Sequence, residues 1–112
     1  MAAVADPRQR QLKIKTGVVK RLGKEKTMYE KEVVDQSKKV EKMKEENKDE
    51  HDIKKQIEVL EESKTMIPDC KRRLKTAYED LKNLIDETRT DLAETEEFKQ
   101  ANQMLEETVL ED

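Results

Sequence analysis

The chain of 112 residues contains no Trp, one Phe, two Tyr, two Gly, two Pro, one Cys and one His. Three aromatics cannot fill the core of a sandwich or doubly wound fold, and so few glycines and prolines cannot supply the turns those folds need. Long helices remain. Gly17 and Gly23 are the only glycines, so there is no phosphate-cradling loop, Walker sequence or dinucleotide fingerprint, and no cofactor is expected. His51 is far in sequence from Cys70, which argues against a Cys–His nucleophile, and the three or four close-spaced ligands that zinc requires are missing. Carboxylates are abundant, but they alternate with lysines on polar helical faces, where they are solvated rather than paired for acid–base work. The sequence therefore predicts neither an enzyme nor a metal site.

A lone cysteine closes no internal disulfide and suits a reducing compartment. No apolar run approaches the roughly 18 residues of a membrane span, and Met1–Ala5 is too short for a secretory signal. A soluble, cytosolic protein is the expectation.

What the chain has instead is charge: 46% of residues are charged and 33% hydrophobic, with 24 basic and 27 acidic side chains and a formal net charge of -3. Disordered polyampholytes share that composition. Here, however, apolar residues recur three and four apart over dozens of residues, a regularity that a solvated coil does not need. The near-neutral total conceals two poles, net +6 over residues 1–31 and net -7 over residues 91–112, with -2 between them. One use of the poles is internal compensation, each exposed pair contributing about 0.2–1 kcal/mol. The other is recruitment of an acidic partner by Lys13, Lys15, Lys20, Arg21, Lys24 and Lys31, because a charged face steers encounter more than it fixes affinity. Nucleic acid is not expected, since Tyr29 is the only aromatic of the basic third and the sequence pI is near 5.4. A membrane surface is not expected either, because the apolar face of residues 8–31 lacks Trp and Phe.

Asp6, Pro7 and Gln9 form a helix-start signature, with a capping carboxylate, a proline at the first helical position and a capping-box glutamine. A first helix over about 7–45 carries the stripe Leu12, Val19, Leu22, Tyr29, Val33, Val40 and Met43, interrupted by Lys15, Lys26 and Gln36 and widened by Ile14 and Val18. The wholly polar stretch 45–50 predicts the first turn. A second helix over about 50–87 carries Ile53, Ile57, Leu60, Ile67, Leu74, Tyr78, Leu81 and Ile85, with Lys64 and Lys71 in the polar slots. The heptad phase is the same on both sides of Pro68, so a kink is expected there rather than a break. Thr88–Asp91 is read as the second turn, with Asp91 as N-cap, and a third helix over about 92–110 restarts a stripe at Phe98, Ala101 and Leu105. The expected fold is all-α: one domain over 1–112, an elongated, antiparallel up-down-up three-helix bundle, spectrin-like and rod-shaped.

KIKTGVVKRL at 13–22, KEK at 24–26 and MYEKE at 28–32 resemble the first helix of the tubulin-specific chaperone A family, also called tubulin-binding cofactor A. DIKKQ at 52–56, then Leu60, Glu62, Ser63, MIPDC at 66–70, Arg72, Arg73, Leu74, Ala77 and Tyr78, resemble that family's second helix with its interior proline. The resemblance covers about two-thirds of the chain; beyond residue 86 it rests on acidity and helical pattern. It implies a non-catalytic chaperone that captures β-tubulin before α/β heterodimer assembly, alongside other tubulin-folding cofactors, in a cytoplasmic and cytoskeleton-associated setting. By the same resemblance Lys13, Lys15, Lys20, Arg21, Lys24, Glu25, Arg72 and Arg73 are the expected client contacts, and Tyr29, Leu74 and Tyr78 are packing. The alternative is a structural coiled-coil or adaptor protein that self-associates through its heptad stripes, and both monomer and homodimer remain open.

Overall fold

The computed structural model describes residues 6–110. Helix α1, Pro7–Glu45, opens on a reciprocal cap. Asp6 Oδ1 accepts the Arg8 backbone N–H at 2.9 Å, while Gln9 Oε1 accepts the Asp6 N–H at 3.2 Å. Two donors that a helix end leaves orphaned are satisfied in this way. The helix passes through Gly17 and Gly23 without interruption.

It ends where the apolar pattern ends. Asn47 takes the left-handed conformation (φ 56°), and the Lys48 and Asn47 N–H groups donate to the Met43 and Lys44 carbonyls at 3.0 and 3.1 Å. This is the Schellman arrangement, in which a left-handed residue just past the helix lets the chain reverse while pairing the last carbonyls. Asp49 then caps helix α2, Glu50–Leu92, its Oδ1 accepting the His51 N–H at 2.7 Å. Helix α2 continues unbroken through Pro68.

The second turn lies further along than the sequence predicts. Thr88 is fully buried inside α2, and Asp91 belongs to the last turn of that helix rather than capping the next. The Thr88 hydroxyl donates to the Leu84 and Ile85 carbonyls at 2.8 and 3.3 Å, so this β-branched polar residue occupies a core position without an unpaired donor. Leu92 is buried four residues later and prolongs the stripe. The N-cap of helix α3, Glu96–Glu107, is Thr95, whose Oγ1 accepts the Phe98 N–H at 3.3 Å. Helix α3 stops short of the expected 110, with Thr108 in an extended conformation.

The described residues pack as two compact units. The first combines the chain up to Gly23 with the chain from Arg72 onward. Its core joins all three helices: Leu12, Val19 and Leu22 of α1, Leu74, Ala77, Leu81, Leu84, Ile85 and Leu92 of α2, and Phe98 and Ala101 of α3. The start of α1 meets the end of α2 through Arg8 and Asp91, and meets the start of α3 through Gln9 and Glu97. That fixes the up-down-up order. The apolar stripes here are satisfied within one chain, as a bundle requires and a self-associating coil does not.

The second unit, Lys24–Lys71, is built from the remainder of α1, the turn and the first half of α2. Among its apolar residues Val40, Leu60 and Cys70 are buried, and the buried polar residues Lys26 and Ser63 accompany them.

Along α2 the buried positions correct one column of the expected frame. Ser63 and Cys70 are buried, whereas Lys64 is exposed and Lys71 half-buried. With Ala77 and Leu84 they form a seven-residue column one position before the one assigned from sequence. On α1 the polar interruptions do face inward: Lys26 is 6% exposed, and Gln36 Oε1 is buried with no hydrogen-bond partner among the described residues.

Candidate partner-binding surface

In the first unit, Lys13, Lys20 and Arg21 stand exposed on α1, with Lys15 half-buried. Lys13 and Lys20, seven apart, share a face. Arg72 and Arg73 stand exposed on α2, just before the core residue Leu74, and Lys20 and Arg21 just before Leu22. Because α1 and α2 run antiparallel from the Arg8–Asp91 contact, both groups fall toward the opposite end of this unit. In the second unit Lys24 is exposed and Glu25 half-buried. Tyr29, Leu74 and Tyr78, read from the resemblance as packing, are half-buried, buried and half-buried.

Among the described residues, Lys13, Lys15, Lys20, Arg21 and Lys24 have no carboxylate within the 4.0 Å of an ion pair. An ion pair between the basic start of the chain and its acidic end is resolved at the start of α1. Arg8 Nη2 lies 2.7 Å from Asp6 Oδ2 and 2.9 Å from Asp91 Oδ2. The hydrogen bonds from Arg8 hold the Asp6 carboxyl down at about 2. Those from Arg8 and then Thr90 lower that of Asp91, and the two carboxylates raise the Arg8 guanidinium in return. A second cation is used locally, with the Arg89 guanidinium 5.7 Å from the centroid of the Phe98 ring. The sequence reading missed Arg8 as a tie between helices, because its partner lies 83 residues away and no helical periodicity links them.

No group of three His, Cys, Asp or Glu able to hold a metal ion occurs among the described residues. Cys70 is buried and forms no disulfide among the described residues, and His51 is exposed at the start of α2. Among the described residues no helix is long and apolar enough to cross a membrane. What the surface offers is a set of exposed cations on a helical scaffold, a surface suited to contact with another macromolecule rather than to holding a small ligand.

Comparison with known proteins narrows that class. The family described as "Tubulin binding cofactor A" matches residues 7–105, and the chain belongs to this family. Human tubulin-specific chaperone A is 57% identical over 108 residues, covering 96% of this chain and 99% of the human protein. The chicken protein of the same name is 58% identical over the same length and the same shares of both chains. The solved structure of human tubulin chaperone cofactor A superposes with a TM-score of 0.74 at 56% identity, over 89% of this chain and 96% of that one.

Proposed function

We propose that this protein is a non-catalytic tubulin-folding chaperone, which captures β-tubulin and holds it until other tubulin-folding cofactors assemble the α/β heterodimer. It does this in the cytoplasm, in association with the cytoskeleton, without a cofactor. Its contacts with the client are Lys13, Lys15, Lys20, Arg21, Lys24, Glu25, Arg72 and Arg73. Family membership supports the class of activity. The observation that carries the site is the set of five α1 cations, Lys13 to Lys24, that no described carboxylate neutralises.

The physical logic follows from the fold. A bundle that buries its apolar stripes presents charge to a client, so association is driven by complementary potential and by many contacts of modest strength. Such contacts hold a nearly folded chain without unfolding it, and they are screened by salt within about 10 Å at 0.1 M.

The deciding experiment is capture of purified β-tubulin and, separately, α-tubulin by the immobilised chain at low salt. Retention of β-tubulin over α-tubulin is expected, and retention of neither removes the proposal. Reversing Lys20, Arg21 and Lys24 to Glu is expected to weaken capture at least tenfold while helicity measured by circular dichroism stays unchanged. Equal capture by that variant returns these charges to simple solvation.

A further inference from the structure

Gly17 lies inside α1 for no reason that the bundle supplies. Its φ is not positive, and a Cβ built on it meets nothing within 4 Å. Neither left-handed backbone nor a close internal approach, the usual grounds for glycine, applies here. In a helix interior glycine is the poorest residue after proline. The position is exposed, and so are Lys13, Ile14, Lys20 and Arg21. Those four lie three and four residues away on either side, the spacing that makes side chains neighbours on a helix surface. The missing side chain at 17 therefore leaves a notch, floored by helix backbone and walled by three cations and one apolar residue. Ile14 is 54% exposed, so its apolar surface is largely unused within the chain. Residues 7–23 include no Asp or Glu, and among the described residues Lys13, Lys20 and Arg21 have no carboxylate within 4.0 Å.

We propose that this notch seats one apolar side chain of an acidic amphipathic helix of the client. Carboxylates three or four residues to either side of that side chain reach Lys13, Lys20 and Arg21. The inference rests on the client-binding reading above and adds the chemistry of the segment bound at this point. A side chain of one helix fits a hole formed by four residues of another. The match in length follows from the shared helical rise: Lys13 to Arg21 spans ~12 Å, which is the reach from four residues before a seated side chain to four after it. A bare position also lets two helix axes approach toward the near end of their usual ~8–10 Å separation. Charge sets the orientation of the encounter, and burial against Ile14 holds it. An extended acidic chain bound by charge alone needs neither the bare position nor Ile14. The helix propensity given up at Gly17 is the condition for this close approach.

Capture of purified β-tubulin by the immobilised intact protein, compared with capture by Gly17→Leu and by Ile14→Ala, tests this. Filling the notch with Gly17→Leu is expected to weaken capture roughly tenfold or more. Its urea midpoint is expected to be no lower than the parent's, since leucine favours the helix. Ile14→Ala is expected to weaken capture roughly fivefold, through lost apolar burial. Equal capture by either variant overturns the proposal while leaving client binding itself intact. No capture by the parent protein removes the client-binding reading, and this inference with it. A photoreactive leucine analogue placed at position 14 identifies the client segment by crosslinking and mass spectrometry. Crosslinks to an apolar residue with Asp or Glu three or four positions to either side are expected. Crosslinks confined to an unbroken run of acidic residues overturn the helix.

Discussion

Arg8 Nη2 and Asp91 Oδ2 lie 2.9 Å apart across 83 residues of sequence, and the same nitrogen is 2.7 Å from Asp6 Oδ2. One guanidinium therefore ties the cap of α1 to the last turn of α2. Asp6 is at once a capping acceptor and an ion-pair partner, which is why its carboxyl resists protonation.

The pH consequence has a definite sign. The Asp6 carboxyl falls from the ordinary 3.8 to about 2 on folding, so the folded state favours its ionised form. The associated stability is present above pH 3.8 and is lost as pH falls through about 2. Carboxyl NMR of the intact protein is expected to give an Asp6 midpoint near 2, moving up toward 3.8 in Arg8→Gln. A midpoint unmoved by that substitution contradicts the clasp.

Burial separates two apolar residues of the basic third and the second helix that composition alone treats alike. Leu81 is 0% exposed within the three-helix core, whereas Ile14 is 54% exposed. Leu81→Ala is expected to cost about 2–5 kcal/mol, the transfer term plus an unfilled cavity. Ile14→Ala is expected to stay within about 0.5 kcal/mol. Urea melts followed by circular dichroism measure both, and a loss below about 0.5 kcal/mol for Leu81→Ala removes it from the core.

The helical character of the chain and its first turn were legible because they are written in signals of fixed geometry. Asp6 and Gln9 announce a cap, and the stretch 45–50 offers nothing to a core. The second turn was not legible. Thr88 carries a hydroxyl, so it reads as surface until its bonds to the Leu84 and Ile85 carbonyls are seen. Ser63 and Ala77 were left out of the apolar stripe for a related reason: small side chains give a weak apolar signal, yet both are buried. Exposure of Lys13, Lys20, Arg21 and Lys24 was readable from the helical pattern. The lack of an ion-pair partner at these four among the described residues was not, since pairing depends on which helices lie side by side.

Moving the second turn makes a direct prediction about caps. Thr95 Oγ1 accepts the Phe98 N–H at 3.3 Å, and Asp91 caps nothing in α3. Thr95→Ala is expected to cost about 1 kcal/mol, the usual loss of an N-cap. Thr95→Asp is expected to recover most of it, because the carboxylate accepts the same N–H and faces the positive end of the helix. Equal stability of Thr95→Ala and the parent protein in urea melts places the cap elsewhere.

Asn47 holds the turn between α1 and α2 at φ 56°, and it is the one non-glycine residue with positive φ among those described. A β-branched residue there clashes with its own carbonyl, so Asn47→Val is expected to cost about 1–2 kcal/mol. Asn47→Gly is expected to be neutral or stabilising, since glycine takes that conformation at no steric cost. Thermal melts of the two variants should bracket the parent, and a Val variant as stable as the parent rules out the left-handed turn.

Gly17 gives the opposite case, a glycine that the backbone does not require. It lies inside α1, and a Cβ built on it meets nothing within 4 Å. No close approach is lost by filling the position, and alanine restricts the unfolded chain more than glycine does. Gly17→Ala is therefore expected to raise stability by about 1 kcal/mol, the difference in helix propensity between the two residues. The gain should appear as a higher urea midpoint with an unchanged slope, because neither the core nor the surface exposed on unfolding has been altered appreciably. Lower stability instead requires a contact at Gly17 that the closed bundle does not contain.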